Sequence, residues 1–481
     1  MITIVGLGPA GVDQMTRAAW TAVESAGRVI VRTLQHPAAE ELAEQFSLES
    51  CDDLYQSAAD FGEVYEQIAA RVLKAAGEGE VVYAVPGHPA FAEQAAGLIR
   101  RQAEAAGIPV SVVGAVSFLD SLLAGVGVDP FDAGLQLLDA RRLPRPLWLV
   151  GPTVFAQVDT ALVAGELKGR LLEVLAPEHV AVVVTDAGSP TERFVEVAVA
   201  GLAEAGVGPR TSVFLDAGPV GLPGLVALAD RLRAECPWDA RQTHHSLARH
   251  LIEEAYELME AIGQLPASAP AGEIDLPTYL EVEEELGDVL LQVVFHSMLA
   301  AEAGVFDIES VAEHHRRKLI SRHPHVFGVN GGDPIEVDGA PEVSRNWEKI
   351  KQQEKQRESL MDDVPVAMPA LARAAKLQRR ASSVGFDWAE PAEVVPVLRE
   401  ELDELAAALG DTDAVAHELG DVLFTIVNLA RHLHIDPEMS LRQAIDRFAL
   451  RFRHMESVGD LNGRTAGELD ELWEQAKHAT D

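Results

Sequence analysis

The sequence predicts a multidomain protein with an α/β N-terminal part and an all-α C-terminal part. Short β-branched runs alternate with longer helix-like segments from residue 1 to about 220. The stretch "AGPVGLPGL" at 217–225 has the Gly/Pro composition of a linker. Beyond it, strand signals nearly vanish and helical periodicity continues to the end. A chain of 481 residues has room for about three domains.

The strands of the α/β part are predicted at five apolar runs. These are "ITIVGLG" at 2–8, "VVYAVPG" at 81–87, "VSVVGAV" at 110–116, "LWLVG" at 147–151 and "VAVVVTDAG" at 180–188. Their spacing leaves room for a helix between successive strands, which is typical of an α/β fold.

Charge and cysteine content narrow the function. The formal net charge is -37, with 76 acidic and 39 basic residues, and this argues against sequence-independent binding of nucleic acid. This negative charge still allows a phosphate-bearing small molecule to bind if the surplus carboxylates hold a divalent metal. Cys51 and Cys236 form neither a disulfide framework nor a zinc pattern. With no leader and no long uncharged apolar run, we expect a cytoplasmic protein that does not span a membrane.

The all-α part contains a tandem repeat. In each half a Glu-Glu-x-x-Glu pattern precedes a Glu-x-x-Asp pattern, at 253–257 and 285–288 and again at 400–404 and 418–421. A Pro/Ala-rich insertion at 264–279 occurs only in the first half and is predicted to be a surface loop. The stretch "MDDVPVAMP" at 361–369 separates the halves.

Two such helices side by side would bring four or five carboxylates together. Each like-charged pair one turn apart costs about 0.2–0.5 kcal/mol without a counterion, and a hard cation removes this repulsion. Mg²⁺ takes oxygen ligands and is commonly shared between carboxylates and substrate phosphates. The alternative is a solvated acidic helix face, in a non-catalytic helical assembly module. The repetition of both patterns beside apolar runs favours the metal site.

Cationic and aromatic residues recur downstream of the acids in each half. Each half has two cations one helical turn apart, which could meet phosphate oxygens, and a Trp one turn before a Lys, which could stack on a base. They are Lys318, Arg322, Trp347 and Lys351 in the first half and Arg447, Arg451, Trp473 and Lys477 in the second. The pattern predicts an all-α nucleoside triphosphate site at which water attacks a phosphoryl group.

At these residues the chain resembles the MazG family of nucleoside triphosphate pyrophosphohydrolases. Further similar segments are "CPWDARQTHHSL" at 236–247, "RHPHVFG" at 322–328, "VGFDW" at 384–388 and "GDVLFTIVNLARHL" at 420–433. The resemblance covers about residues 223–481 and implies repeats at 223–355 and 365–481. It implies hydrolysis of NTP to NMP and pyrophosphate, with nucleoside triphosphates as the partners of the site.

The resemblance also assigns roles to the acids. Mg²⁺ or Mn²⁺ would be held by Glu254, Glu257, Glu285 and Asp288, or by Glu401, Glu404, Glu418 and Asp421. Glu253 and Glu400 would orient or deprotonate the water. Arg447 stands where the family usually has a lysine, which preserves the charge but changes the phosphate geometry. The compact connection of the second repeat favours it as the working copy, and pairing of such units implies a homodimer.

The N-terminal part resembles the tetrapyrrole methylase family, in the form fused to MazG that is called the YabN type. The similar segments are "IVGLGPAG" at 4–11, "YAVPGHPAFAE" at 83–93, "GAVSFLDSLLAGVGVDP" at 114–130 and "LQLLDA" at 135–140. Over residues 1–220 this implies two α/β lobes that bind S-adenosylmethionine between them, with the methyl acceptor left open. The implied cofactor contacts are Pro9, Gly87, His88, Pro89, Phe91, Ser117 and Phe118.

Two other interpretations of the N-terminal part compete with this one. Gly6-x-Gly8-x-x-Gly11 after a strand also matches the dinucleotide-binding fingerprint, but the acid expected about 20 residues on is missing, and "RVIVRTL" at 28–34 offers only arginines. An inert α/β scaffold is the second alternative. For the chain as a whole, a methyltransferase whose MazG part is regulatory is a further alternative.

The histidines and Cys236 are predicted to have structural roles. His314, His315, His323 and His325 lie close together in sequence but lack a recognisable zinc spacing. Cys236 precedes Pro237 and Trp238 without an assignable histidine partner, which favours packing over nucleophilic chemistry.

Overall fold

The computed structural model describes residues 1–57, 60–91, 93–266, 268–329, 332–355 and 359–480. They form two compact units, Met1–Ile308 and Glu309–Asp481, and each is described by itself. The first unit begins with two β-sheets, and the described chain after them is helical. The predicted order of an α/β part followed by an all-α part is therefore confirmed. The proposed repeat boundaries are not tested by this division and stay predictions.

The first sheet has the strand order β3-β2-β4-β1-β5, with all neighbouring strands parallel. Its strands are β1 (Ile2–Gly6), β2 (Val29–Val31), β3 (Leu48–Ser50), β4 (Val81–Val85) and β5 (Val110–Val113). The accompanying helices are α1 (Arg17–Glu24), α2 (Pro37–Ala43), α3 (Asp52–Ser57), α4 (Phe61–Glu78) and α5 (Gln94–Ala105). Every residue of β4 is buried, because parallel strands covered by helices on both faces have no solvent side.

The second sheet is mixed, with the strand order β6-β7-β10-β8-β9. Strands β6 and β7 pair in parallel, whereas the pairs β7–β10, β10–β8 and β8–β9 are antiparallel. Its strands are β6 (Gln136–Asp139), β7 (Thr153–Ala156), β8 (Val180–Thr185), β9 (Arg193–Ala198) and β10 (Thr211–Leu215). The helices of this lobe are α6 (Phe118–Val126), α7 (Pro130–Ala133) and α8 (Ala161–Leu172).

One predicted strand is wrong. The run "LWLVG" at 147–151 forms no strand, and its ladder contact is an isolated bridge between Val150 and Pro219. Leu147 and Leu149 are buried in the core of the second lobe, so the apolar pattern reflects packing rather than strand pairing. The true strand, β7, begins immediately after Pro152. A short apolar run cannot separate these two causes of burial by itself.

Three helices complete the first unit. They are α9 (Leu222–Glu235), α10 (His244–Gln264) and α11 (Leu276–Glu302). Ala229, Leu247 and Phe295 lie in their shared core, one from each helix. The predicted loop lies between α10 and α11, although its last residues, from Leu276, already belong to α11.

The second unit is helical throughout its described residues. Its helices are α12 (Ile308–Arg322), α13 (Pro324–Phe327), α14 (Ala340–Lys355), α15 (Ala370–Ser382), α16 (Pro391–Ala407), α17 (Thr412–His432), α18 (Pro437–Val458) and α19 (Ala466–Thr480). The first residue of α12 is the last residue of the first unit. Helix α17 packs against α15, α16 and α18, and α18 packs against α19. Met455 of α18 and Leu472 and Ala476 of α19 are buried together.

Among the described residues, no helix combines the length and apolar character needed to cross a bilayer.

Candidate functional site

Two neighbouring helices carry the acids of the first repeat. Helix α10 begins with a capping box in which Thr243 and Ser246 each accept a hydrogen bond from the other's backbone N–H. It then packs along α11. Carboxylate oxygens of Glu254, Glu257 and Glu285 lie within 4.8 Å of one another. The predicted convergence of acids from two helices is therefore present in the first unit.

The first acidic group is electrostatically strained. Partial burial raises the pKa of the Glu254 carboxyl, and a hydrogen bond with Glu257 and the charge of Asp288 raise it further. Partial burial, followed by the charges of Glu257 and Asp288, also raises the pKa of Glu285. Oε2 of Glu285 is buried with no hydrogen-bond partner among the described residues. An all-oxygen donor set with an orphaned carboxylate oxygen suits a hard divalent cation.

Glu253 lies beside this group. Its charge contributes to the raised pKa of Glu254, and its Oε2 lies 3.3 Å from Nδ1 of His250. The Glu253 side chain is exposed, so water can reach its carboxylate. Its role as orienter or base of an attacking water stays a prediction.

The second repeat builds the same arrangement on α16 and α17. Carboxylate oxygens of Glu401, Glu404 and Glu418 lie within 4.8 Å of one another. Partial burial raises the pKa of Glu401, and the charge of Asp421 is the next largest cause. Glu404, Glu418 and Glu400 add to the same shift. The five predicted acids of this repeat thus act on one another within the second unit.

One further residue of the second acidic group was missed from the sequence. Nδ1 of His417 lies 3.0 Å from Oδ2 of Asp421 and 3.8 Å from Oε1 of Glu418. His417, Glu418 and Asp421 also offer ligand atoms that lie within 4.8 Å of one another. The signal in the sequence was a histidine four residues before Asp421, on the same helix face. The residue at the matching position of the first repeat is Glu284, so the repeated pattern of acids does not include His417.

The four cationic and aromatic residues predicted for the first repeat lie on α12 and α14 of the second unit. Arg322 is only 6% exposed and hydrogen bonds to Oε2 of Glu354 through Nε at 2.9 Å. Its guanidinium also lies 5.4 Å from the ring centre of Trp347. Lys318 is half-buried, and Trp347 also packs on His323. The assignment of Lys318, Arg322, Trp347 and Lys351 to nucleotide binding stays a prediction.

The corresponding residues of the second repeat lie on α18 and α19. The guanidinium of Arg451 lies 5.9 Å from the ring centre of Trp473, which repeats the Arg322–Trp347 pairing. Trp473 also packs on Phe448, with ring centres 5.2 Å apart. Nζ of Lys477 lies 2.6 Å from Glu474, and Arg447 is exposed. Their nucleotide contacts likewise stay predictions.

The predicted structural roles of the histidines and of Cys236 stay predictions, and His314 and His315 are exposed rather than packed in a core. Nδ1 of His323 lies 2.6 Å from the carbonyl oxygen of Leu319, one helical turn earlier. Within the described ranges, His314, His315, His323 and His325 belong to no group able to share a metal. The backbone N–H of Cys236 donates to Leu232 and caps the end of α9.

The N-terminal part contains a cavity of about 620 Å³ with residues of both lobes in its wall. Five of the seven predicted cofactor contacts line it, namely Pro9, Gly87, His88, Phe91 and Phe118. Pro89 and Ser117 are buried and are not among the lining residues. Ser117 instead caps α6 in a capping box with Asp120.

The glycines of the first loop have a structural explanation. A Cβ on Gly6 would lie 2.6 Å from the carbonyl oxygen of Gly87, so only glycine permits this approach of β1 to the loop that follows β4. Gly8 and Gly87 have φ of 78° and 66° and exchange backbone hydrogen bonds of 3.2 and 2.8 Å. In addition, β4 lies between β2 and β1, whereas the dinucleotide-binding fold has strand order 3-2-1-4-5. Both observations argue against the dinucleotide interpretation.

Sequence reasoning missed the charged wall of this cavity. Arg32 and Glu93 form a buried pair with Nη1 and Oε2 2.7 Å apart, and both line the cavity. Burial and the charge of Arg210 lower the pKa of His36 to about 4, so this lining imidazole is neutral near pH 7. Arg32 and His36 lie in the loop between β2 and α2, whereas Glu93 directly precedes α5, and only the fold brings Glu93 to the other two.

Comparisons with known proteins follow the same division of the chain. The family model described as "MazG nucleotide pyrophosphohydrolase domain" matches residues 242–327 and 389–455. The model described as "Tetrapyrrole (Corrin/Porphyrin) Methylases" matches residues 1–203. The two MazG matches contain both acidic groups.

Relatives cover either the whole chain or its helical part. The Bacillus subtilis protein named "Uncharacterized protein YabN" is 36% identical, over 99% of this chain and 98% of its own length. The Thermotoga maritima "Nucleoside triphosphate pyrophosphohydrolase/pyrophosphatase MazG" is 43% identical, over 53% of this chain and 94% of its own. The Escherichia coli K12 "Nucleoside triphosphate pyrophosphohydrolase" is 36% identical, over 53% and 95%. The chain therefore belongs to the MazG family, in the form that carries an N-terminal tetrapyrrole methylase domain and shares its full length with YabN.

Proposed function

We propose that the protein is a metal-dependent nucleoside triphosphate pyrophosphohydrolase that converts NTP and water into NMP and pyrophosphate. The observation that carries this proposal is the convergence of three carboxylates within 4.8 Å in each repeat. Their repulsion raises the pKa of Glu254, Glu285 and Glu401, after the effect of partial burial. A helix surface with a purely structural role gains nothing from such strain in two places. The names of the MazG relatives support the same reaction.

The acids of each repeat have two roles in this proposal, metal binding and proton transfer. Glu254, Glu257, Glu285 and Asp288 in the first repeat, and Glu401, Glu404, Glu418 and Asp421 in the second, would hold Mg²⁺ or Mn²⁺. When bound, this cation lowers the pKa of a water molecule and neutralises charge on phosphoryl oxygens. The water oxygen bonds to the α-phosphorus, and the bond to the oxygen that bridges towards the β-phosphorus breaks, which releases pyrophosphate. Glu253 or Glu400 accepts the proton of the water.

The reaction is tested by its products. The purified chain is incubated with each common NTP and Mg²⁺, and pyrophosphate, NMP, orthophosphate and NDP are quantified. We expect equal amounts of NMP and pyrophosphate, and none after chelation of the metal. NDP and orthophosphate as primary products would contradict the bond assignment, and no turnover of any NTP would favour a non-catalytic or regulatory helical part.

We also propose that the N-terminal cavity binds S-adenosylmethionine and serves a methyl transfer whose acceptor is open. The lining by Gly87, Phe91 and Phe118 supports this, because glycine admits close backbone contact and aromatic rings can cover an adenine. Binding at a hundredfold excess over Kd would stabilise the protein by about 2.7 kcal/mol.

Calorimetry of the full chain with S-adenosylhomocysteine tests this second proposal. Phe91→Ala should weaken binding, whereas Phe131→Ala, at a 97% exposed position outside the cavity, should not. If neither S-adenosylmethionine nor S-adenosylhomocysteine binds at millimolar concentration, the N-terminal part is a scaffold.

We further propose a homodimer. Matching apolar side chains are exposed on the acid-bearing helices, with Leu286 51% and Leu290 38% exposed on α11 and Leu419 47% and Leu423 46% exposed on α17. Such faces are buried when helical units pair, within one chain or between two chains. Light scattering should give twice the chain mass, and a stable monomer at micromolar concentration would contradict the dimer.

We place the protein in the cytoplasm as a related proposal. Cys51 and Cys236 are both free thiols, and burial raises the pKa of Cys51 to about 11, so neither supports a disulfide framework. Cell fractionation that recovers the protein outside the cytoplasm would contradict this location.

A further inference from the structure

The two acidic groups differ in one ligand-type side chain. In the second repeat, His417 precedes Glu418 and lies one helical turn before Asp421. Its Nδ1 lies 3.0 Å from Oδ2 of Asp421. In the first repeat, the matching position is occupied by Glu284, directly before Glu285.

The imidazole belongs to the same site as the carboxylates. Glu418 is a member of two groups, one with His417 and Asp421 and one with Glu401 and Glu404, and each group lies within 4.8 Å. A single cation near Glu418 would therefore be within reach of ligand atoms from both α16 and α17. His417 and Asp421, four residues apart, present one nitrogen and one oxygen on one helix face, which is a favourable spacing for chelation.

The first group is surrounded by more acids, and its three converging side chains, Glu254, Glu257 and Glu285, offer only oxygen. His250 lies beside Glu253 but belongs to no metal-binding group among the described residues. Glu284 and Glu260 both raise the pKa of Glu285, so their charges reach the site. The position that matches Glu260 in the second repeat is Ala407. The first group thus gains two carboxylates where the second has an imidazole and a methyl group.

Ligand type controls which divalent metal a site prefers. Carboxylates suit Mg²⁺, Ca²⁺ and Mn²⁺, whereas an imidazole nitrogen suits later first-row metals such as Co²⁺, Ni²⁺ and Zn²⁺. We propose that His417 is a metal ligand and makes the second site selective for this later class, while the all-oxygen first site is selective for Mg²⁺. This inference rests on the proposed function only in that the acids bind a metal.

The experiment exchanges the two side chains and measures metal binding directly. Co²⁺ is the probe, followed by visible absorption and calorimetry on the full chain after chelator treatment. The second site is isolated by Glu254→Gln and Glu285→Gln, and His417→Glu is introduced there. We expect Co²⁺ affinity to fall at least about tenfold with a changed spectrum, and Mg²⁺ affinity to stay the same or rise.

The reverse exchange tests the same idea at the other site. With the second site disabled by Glu401→Gln and Glu418→Gln, Glu284→His should raise Co²⁺ affinity and introduce the spectrum of the second site. His315→Glu, at an exposed position on α12 outside both groups, controls for the change of charge in His417→Glu. Circular dichroism confirms that each variant remains folded.

The outcomes separate this inference from the proposed function. If His417→Glu and His315→Glu bind Co²⁺ equally well, His417 is only the surface partner of Asp421 and the inference is overturned. In that case Mg²⁺ binding and NTP hydrolysis are unaffected. If neither metal binds at either acidic group, both the inference and the metal assignment of the proposed function are overturned.

Discussion

In the first repeat, α10 and α11 hold a carboxylate group surrounded by further acids, and in the second, α16 and α17 hold a matching group beside a histidine. The central geometry is the same, since three carboxylates lie within 4.8 Å in both copies. The supporting arginines also share their stacking on a tryptophan, yet Arg322 is 6% exposed and paired with Glu354, while Arg451 is half-buried. The comparison separates the features that both copies share from those in which the copies differ.

The largest expected effect comes from removing one acid from each group. In the double variant Glu254→Gln, Glu401→Gln, we expect NTP hydrolysis to fall at least about 100-fold, because a metal ligand is lost in both repeats. The single variants then break the symmetry, and we expect Glu401→Gln to have the larger effect because the second repeat is joined compactly. Pyrophosphate release is the measurement.

A matched control keeps the charge change and leaves the acidic groups intact. Asp230→Asn and Glu456→Gln replace exposed acids, one in each unit, and should leave activity unchanged. A double variant Glu254→Gln, Glu401→Gln that stays folded and turns over at the normal rate would remove the basis for the metal site.

The second prediction contrasts the two arginines. Arg322→Ala leaves Glu354 without its cation in a pair of which only the arginine is buried, and we expect a loss of about 2–3 kcal/mol of stability, less than for a fully buried pair because the Glu354 side chain is 35% exposed. Arg451→Ala removes a contact over Trp473 and should cost about 1 kcal/mol or less. Thermal melting by circular dichroism measures both. Equal losses would mean that the repeats support their arginines in the same way.

The sequence was sufficient for the parts of the fold and site that depend on local pattern. Period and spacing placed Glu254 and Glu257 on one helix and Glu285 on the next, and their neighbourhood follows when the helices pack side by side. The predicted strand at 147–151 was wrong because burial of Leu147 and Leu149 in the core produces the same apolar pattern as a strand. His417 was missed because the repeat is recognised from positions at which the two halves match, and this position differs between them.

Residues joined only by the tertiary fold lay beyond sequence reasoning. Arg32 and Glu93 are 61 residues apart and meet in the cavity wall. His36 lines the same cavity, and its low pKa depends on burial and on Arg210 from the other lobe. No periodicity links these positions, because their contacts follow from strand order and loop packing.

The third prediction uses metal to stabilise the acidic groups. Partial burial, and after it the repulsion of neighbouring carboxylates, raises the pKa of Glu254 and Glu401, and a cation that binds the folded chain relieves that repulsion. At a tenfold excess of Mg²⁺ over Kd, the stabilisation is about 1.4 kcal/mol. Melting temperatures with and without Mg²⁺ should show this increase in the wild type and lose it in Glu254→Gln, Glu401→Gln. An unchanged increase in that variant would mean that the metal binds elsewhere.

The smallest expected effect concerns two ion pairs, one in each repeat, that differ in how exposed their carboxylates are. In the second repeat, burial opposes ionisation of Asp387, but hydrogen bonds and charges from Arg431 and His432 outweigh it and hold the pKa of Asp387 below its usual 3.8. In the first repeat, the hydrogen bond from Arg233 lowers the pKa of Glu302, whose side chain is 44% exposed. Solvent screening weakens that pair, so the Asp387 pair should contribute more.

The sign of the pH dependence follows from the direction of the shift. A carboxyl with a lowered pKa in the folded state adds stability that is present above its unfolded pKa and is lost as pH falls through the folded pKa. Asp387→Asn should therefore cost about 1 kcal/mol at pH 7, with the difference from wild type starting to shrink below the usual value of 3.8 and vanishing only below the lowered folded pKa. Glu302→Gln should cost less than about 0.5 kcal/mol at pH 7, with the same direction. Melting of both variants from pH 7 to pH 3 measures this. A penalty for Asp387→Asn that does not shrink at all below pH 3.8 would show that its hydrogen-bond geometry, rather than its charge, stabilises the second repeat.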